Sequence, residues 1–221
     1  MLTFHTRIRT MPKSRRRNRL EPRKSPAQPR SAATVDAILE AAARILEKSG
    51  FAGYTTNAVA ERAGVSIGSL YQYFPGKDAL TVALIERETS MLLTEIAGSG
   101  SEADYKMGLS RMIRAAVVHQ MRRPALARLL DFEERRLPIG PRNGHVADLI
   151  LTELIALLDR DDVQLAGDTE LAAWDVLAIV KGIVDAAGER GETDAPRLEQ
   201  RVMRAVFGYL DQSSARKMRQ N

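Results

Sequence analysis

The stretch from Thr55 to Lys77, TTNAVAERAGVSIGSLYQYFPGK, constrains this chain more than any other, because it must hold two short helices and a tight turn. Thr56 is read as the N-cap of a helix that carries Val59, Ala60 and Ala63 inward, and Gly64 gives the backbone freedom a sharp turn requires. Val65 plugs the angle between the helices. Ser66 caps the second helix, whose Leu70 and Phe74 lie four apart and share one buried face, and Pro75 ends it. With those two inward, a rotation of about 100° per residue leaves Gly68 and Gln72 outward, with Ser69 and Tyr71 at the edges. That face is uncharged. A solvated face would carry Lys or Glu, whereas small residues, hydroxyls and an amide suit base edges and phosphates. Lys77, at the start of the next helix, combines its charge with unbonded backbone N–H groups to hold a phosphate.

The pattern T-x-x-x-V-A-x-x-A-G-V-S-x-G-S-L-Y-x-Y-F-x-x-K-x-x-L resembles the helix-turn-helix signature of the tetracycline-repressor (TetR) family of bacterial regulators. The resemblance extends over residues 34–84. It implies an all-α fold: a three-helix DNA-binding head over 34–80 and a larger helical ligand-binding and dimerisation domain over 81–213, with a short tail from 214 to 221. On this resemblance Thr56, Ser66, Tyr71, Tyr73 and Lys77 stand at positions that hold phosphates, and Asn57, Ile67, Gly68, Ser69 and Gln72 at positions near bases. Ile67 departs from the polar residues often found there; it either meets a thymine methyl or packs inward. A tri-helical unit with this core could also serve as a protein–protein module.

Charge sharpens the reading. Residues 1–33 carry ten basic residues against Glu21, a balance of +9, which leaves −4 on the rest of a chain whose net charge is +5. A neutral-to-acidic body with a basic arm points to a polyanionic partner reached by the arm. With Pro12, Pro22, Pro26 and Pro29 and little apolar periodicity, the arm reads as disordered in isolation. Arg15, Arg16 and Arg17 are its candidate DNA contacts, along phosphates or in a minor groove. A bland solubilising tail, or a true start at Met11, competes with that reading. The absence of cysteine excludes disulfides, thiolate metal sites and cysteine nucleophiles. No run of about 18 apolar residues suggests a membrane span, and no secretory signal is expected, so a cytoplasmic setting is the expectation.

Beyond the head, Thr34–Lys48 reads as a first helix stopped at Gly50 in a left-handed cap, with Phe51 as the returning apolar contact. A long helix runs from Lys77 to the Gly98-Ser99-Gly100 break. Helices follow over Glu102–Arg122, Ala125–Arg136 behind Pro124, Val146–Leu158, Thr169–Ala187 and Ala195–Leu210, with a loop over Pro138–Gly144. No segment alternates with period two, so no sheet is expected. The last two helices carry wide apolar stripes, including Leu171, Val176, Val184, Val202, Val206 and Phe207. They are either ordinary core or, as the resemblance implies, half of a four-helix interface in a homodimer that sets two heads on a palindromic DNA operator.

Catalysis finds no foothold. His5 and His119 have neither histidine nor carboxylate at helical metal-site spacing, His145 has only Asp148, no serine sits in a Gly-x-Ser-x-Gly turn, and no Lys follows Gly98-Ser99-Gly100 as a phosphate loop needs. The expectation is a non-enzymatic protein with no metal and no cofactor. The resemblance places a small-molecule pocket in the body, and Met107, Met112, His119, Met121, Phe132 and Trp174 are the residues proposed to line it for a small apolar or amphipathic effector. Each also reads as plain core. Asp175 and Lys181 are read as facing solvent or a dimer rim. The resulting expectation is a sequence-specific repressor released by its effector. The competing one is a ligand-binding or protein-interaction module whose basic arm binds nucleic acid without selectivity.

Overall fold

The computed structural model describes residues 29–137, 140–163, 165 and 167–218. Among them the chain forms nine α-helices and no strand: α1 (Pro29–Gly53), α2 (Thr56–Ala63), α3 (Ile67–Tyr73), α4 (Lys77–Ile96), α5 (Tyr105–Arg122), α6 (Pro124–Arg136), α7 (Gly140–Leu158), α8 (Thr169–Glu189) and α9 (Ala195–Met218). No helix among the described residues is long and apolar enough to cross a membrane.

Several boundaries differ from the sequence expectation, each for a local reason. Helix α1 begins at Pro29, inside the stretch expected to be an arm, because proline's fixed φ suits a first helical position and Ser31-Ala32-Ala33 continue the helix readily. Gly50 breaks the helix at φ 57° and ψ −159°, a glycine conformation outside the left-handed helical region expected of a cap, and one further turn follows it. Helix α5 starts at Tyr105 rather than Glu102, since Asp104 caps it by accepting from Lys106 N at 2.8 Å. Ser99–Ser101 form a single 3-10 turn, and Glu153 of α7 accepts from Gly98 N and Gly100 N at 3.2 and 2.7 Å, tying the break to the body. Helix α7 begins at Gly140, within the expected loop, with Pro141 in its first turn where a missing N–H costs nothing. Helix α9 runs through Met218, past the expected start of the tail.

Two apolar cores stack along α4. The first joins α1, α2 and α3 around Ile38, Leu46, Val59, Leu70, Phe74 and Leu84, and it takes in Leu126 and Leu130 of α6 and Leu137 just past its end. The second joins α5, α7, α8 and α9 around Leu109, Ile113, Leu157, Val176, Val202 and Val206, and receives Ile96 from the far end of α4. Helix α4 is thus a shared beam.

The stripes expected to face a partner subunit are largely core. Val176, Val184, Leu198, Val202, Val206 and Leu210 are buried within the chain, because α8 and α9 pack on each other and on α5. What α8 leaves outward is Leu171 and Trp174, and α9 leaves Met203 and Phe207 half-buried beside Gly208 on a shallow groove.

Candidate nucleic-acid interface and effector cavity

The helix-turn-helix is built by local chemistry. Thr55, extended at φ −123° and ψ 153°, caps α2 by accepting from Ala58 N at 3.1 Å; the cap is Thr55 and not the expected Thr56, which is already helical. Gly64 ends α2 at φ 69°, and its N–H returns to Ala60 O and Glu61 O. Two residues later Ser66 caps α3, accepting from Ser69 N at 3.0 Å and touching Ser69 Oγ at 2.8 Å. Such a cap is worth about 1 kcal/mol. Leu70 is fully buried and Phe74 nearly so, which fixes the rotation of α3.

That rotation turns Ile67, Gly68, Tyr71 and Gln72 outward, with Ser69 and Tyr73 half-buried at the edges. Ile67 is 38% exposed, so it does not pack inward. Asn57 is exposed on α2. Thr56 Oγ1 lies 3.2 Å from Tyr71 OH, holding the phenol over the junction of α2 and α3. Lys77 is exposed at the start of α4, its Nζ 5.2 Å from the centre of the Tyr54 ring, and no side chain caps that helix start. Tyr54 itself is buried, with its hydroxyl 3.2 Å from Thr81 Oγ1, and desolvation raises its pKa. The ten head positions expected to meet DNA therefore lie on α2, on α3 and its cap Ser66, and on the first residue of α4. Arg15, Arg16 and Arg17 fall outside the described residues.

A cavity of about 360 Å³ opens in the body between α4, α5, α6, α7 and α8. One end is apolar, lined by Ile96, Leu109, Met112, Ile113, Leu154 and Val176. The lining also carries polar groups, among them Glu88, His119, Gln120, Arg123, Glu134 and Lys181. Of the residues expected to line a pocket, Met112 and His119 do so. Met107, Phe132 and Trp174 do not, and the structure corrects their placement: each projects from an outer helix face, and they are 61%, 54% and 48% exposed. Phe132 packs instead on Phe51 of α1, ring centres 6.0 Å apart. Met121 joins the second core. Asp175 accepts from Tyr209 OH at 2.6 Å, tying α8 to α9 and pushing the phenol pKa up to about 12. Lys181, expected to face solvent or a dimer rim, is exposed and also borders the cavity.

Sequence reading missed the ionic lattice between cavity and head. Arg123, at the junction of α5 and α6, lines the cavity and forks onto Glu47 of α1 at 2.7 and 2.6 Å, with Glu40 at 3.1 Å. The Glu47 hydrogen bonds raise its pKa further, against desolvation. Buried Glu88 of α4 accepts from Arg87 at 2.7 Å and from Arg122 at 2.5 Å, and Arg87 reaches Glu40 at 3.4 Å. Partners 34 to 83 residues apart leave no spacing signal in the sequence. Burial, and then the Arg122 charge, lower the His119 pKa, so its imidazole is held neutral. Among the described residues no cluster of His, Cys, Asp or Glu could hold a metal.

A capped helix-turn-helix mounted on a cavity-bearing helical body defines a class of regulatory architecture. Comparison with known proteins supplies the family. Residues 38–84 match the family model for bacterial regulatory proteins of the tetR family, and residues 107–210 that for the tetracyclin repressor-like C-terminal domain. The HTH-type transcriptional repressor KstR of Rhodococcus jostii is 35% identical over 150 residues, spanning 67% of this chain and 66% of that protein, just under two thirds of its length. The nucleoid occlusion factor SlmA of Vibrio atlanticus is 30% identical over 156 residues, 66% of this chain and 79% of that protein. The crystal structure of the Bacillus subtilis regulator FadR in complex with stearoyl-CoA shares the fold, with a TM-score of 0.68 at 18% identity over 77% of this chain and 96% of that one. The chain belongs to the TetR family of bacterial regulatory proteins.

Proposed function

We propose that the protein is a homodimeric transcriptional repressor whose α3 reads a palindromic operator and whose cavity admits an amphipathic effector that releases it. The observation that carries this reading is Arg123, a single side chain that both lines the cavity and grips α1 of the head through Glu47 and Glu40. A molecule that displaces Arg123 alters the pose of the head, and linkage requires that operator binding weaken the ligand by the same factor. Two relatives support the reading: KstR bears the name of a repressor, and the FadR structure holds an acyl-CoA. Thr56, Ser66, Tyr71, Tyr73 and Lys77 are assigned to phosphates, and Asn57, Ile67, Gly68, Ser69 and Gln72 to bases. Outward Leu171 and Trp174, with Met203 and Phe207, are assigned to the dimer contact. Trp174 then reports subunit association rather than ligand entry.

Fluorescence anisotropy against the DNA flanking the protein's own gene tests the proposal. A specific regulator prefers one site over random sequence by about 10³-fold or more at physiological salt. Equal affinity for all sequences, with steep salt dependence, would instead favour a module that binds nucleic acid only through its basic arm.

A further inference from the structure

The charges that border the cavity are already engaged within the protein. Buried Glu88 is held by Arg87 and Arg122, and Arg123 by Glu47 and Glu40. Lys181 bridges two carboxylates, 3.1 Å from Asp185 and 3.9 Å from Glu134, and Asp131 acts on the same ammonium. Among the uncharged groups, the Thr89 hydroxyl donates to Ile85 O at 2.8 Å within its own helix. His119 is neutral.

Gln120 is different. It lines the cavity at 3% exposure, and its Nε2 has no hydrogen-bond partner. Met112, Ala116 and Gln120 follow one another at four-residue spacing along the lining face of α5, which puts the amide about 12 Å along the helix from Met112. Gly188 of α8 gives it space, since a Cβ there would collide with the nitrogen. With no side chain at 188, the amide can turn about its soft terminal torsion towards a partner in the chamber. A buried amide donor left unbonded costs stability, and the group that answers it is a hydrogen-bond acceptor.

On the reading that this cavity is the effector site, we infer that its ligand is an uncharged apolar molecule bearing a carbonyl oxygen, which accepts from Gln120 Nε2 while the hydrocarbon body lies among Leu109, Met112, Ile113 and Leu154. Such a ligand breaks no existing pair. An entering anion finds Arg123 and Lys181 committed to carboxylates, and an entering cation finds Glu88 and Asp185 committed to Arg and Lys. Either ion must open a pair or stay buried without a counter-charge, and both are costly in an apolar chamber. A carbonyl uses the one donor that the wall leaves open, and it carries no proton that would need an acceptor in turn. The effector is thereby narrowed from amphipathic molecules in general to neutral ones.

The test uses the full chain and four probes of similar length: 2-decanone, decanoate, decylammonium and 2-methyl-1-decene, which carries a CH₂ where the ketone has its oxygen. Binding is read by calorimetry below micelle formation, and operator affinity by anisotropy in parallel. 2-Decanone should bind at least about tenfold more tightly than either ion, a difference of about 1.4 kcal/mol. Gln120→Met keeps the length of the side chain and removes the amide; it should weaken 2-decanone by about tenfold while the alkene binds as before or more tightly. Gln120→Leu repeats the comparison with a second shape, and melting curves confirm that each variant folds. An ion that binds as tightly as the ketone overturns the inference, as does a loss of the donor that shifts ketone and alkene alike, or no binding by any probe to the parent. The effector reading fails separately: 2-decanone that binds through Gln120 and leaves operator affinity unchanged at saturation would sink that reading and leave the assignment of the donor standing.

Discussion

The two cores on α4 are packed to different ends. Around Leu70 and Phe74 the head closes completely, and its functional groups stand outside on a surface free of formal charge over α3. Around Met112 and Gln120 the body stays open, and its polar groups stand inside: ion pairs at Arg123 and Lys181, and an amide nitrogen of Gln120 without a partner. A reading surface must keep its shape against an external ligand, so its rigidity comes from a sealed core beneath it. A sensing cavity has to yield, so its walls include groups with alternative partners. Arg123 and Glu88 lie where the two designs meet.

The largest effects should separate the cores. Leu70→Ala is expected to cost about 2–5 kcal/mol in chemical denaturation, since it opens a void in a sealed core. Met112→Ala enlarges an existing cavity and should cost clearly less; equal losses would break the contrast between closed and open packing. Next, Gln72→Ala should lose about 1–3 kcal/mol of discrimination between operator and single-base variants, while Tyr71→Ala and Lys77→Ala weaken binding to all sequences alike. If all three variants bind every sequence as the parent does, α3 is not the reading surface.

The junction comes third. Arg123→Gln leaves operator recognition in place but should cut the ligand's effect on operator affinity by about tenfold, or about 1.4 kcal/mol. Undiminished coupling would move the route to α4 alone. Gly68 gives a smaller and opposite signature. A Cβ there meets only Ser66 Oγ at 3.7 Å, so Gly68→Ala should stabilise the head by about 0.5–1 kcal/mol while weakening DNA binding. A variant both more stable and equally tight on DNA would deny close approach at this residue.

The smallest effect concerns His119. Its folded pKa lies below the usual 6.5, so the unfolded chain takes up a proton that the fold resists. Its contribution to stability is complete above about pH 6.5 and is lost as pH falls towards the lowered folded value. His119→Gln should therefore lose less melting temperature than the parent between about pH 7.5 and about pH 5.5. An identical loss would mean that the imidazole is not desolvated by the cavity.

What the sequence determined by itself was local. Ser66, Gly64, Leu70 and Phe74 act within a few residues of one another, so caps, the left-handed turn and helical rotation are written in adjacent letters, and the outward set on α3 follows from them. The start and end of α4 and the proline start of α6 were legible for the same reason. Apolar stripes on α8 and α9 were equally visible, but periodicity marks a face as apolar without saying what covers it; tertiary packing buried most of them inside the chain. The cavity was beyond the sequence altogether. Its wall draws on five helices, so whether Met107 or Met112 faces it depends on how those helices rotate against one another, and Arg123 meets Glu47 only after 76 intervening steps of chain have folded back. Short-range hydrogen bonding is encoded where it acts, whereas a void and its ion pairs exist only once distant surfaces are brought together.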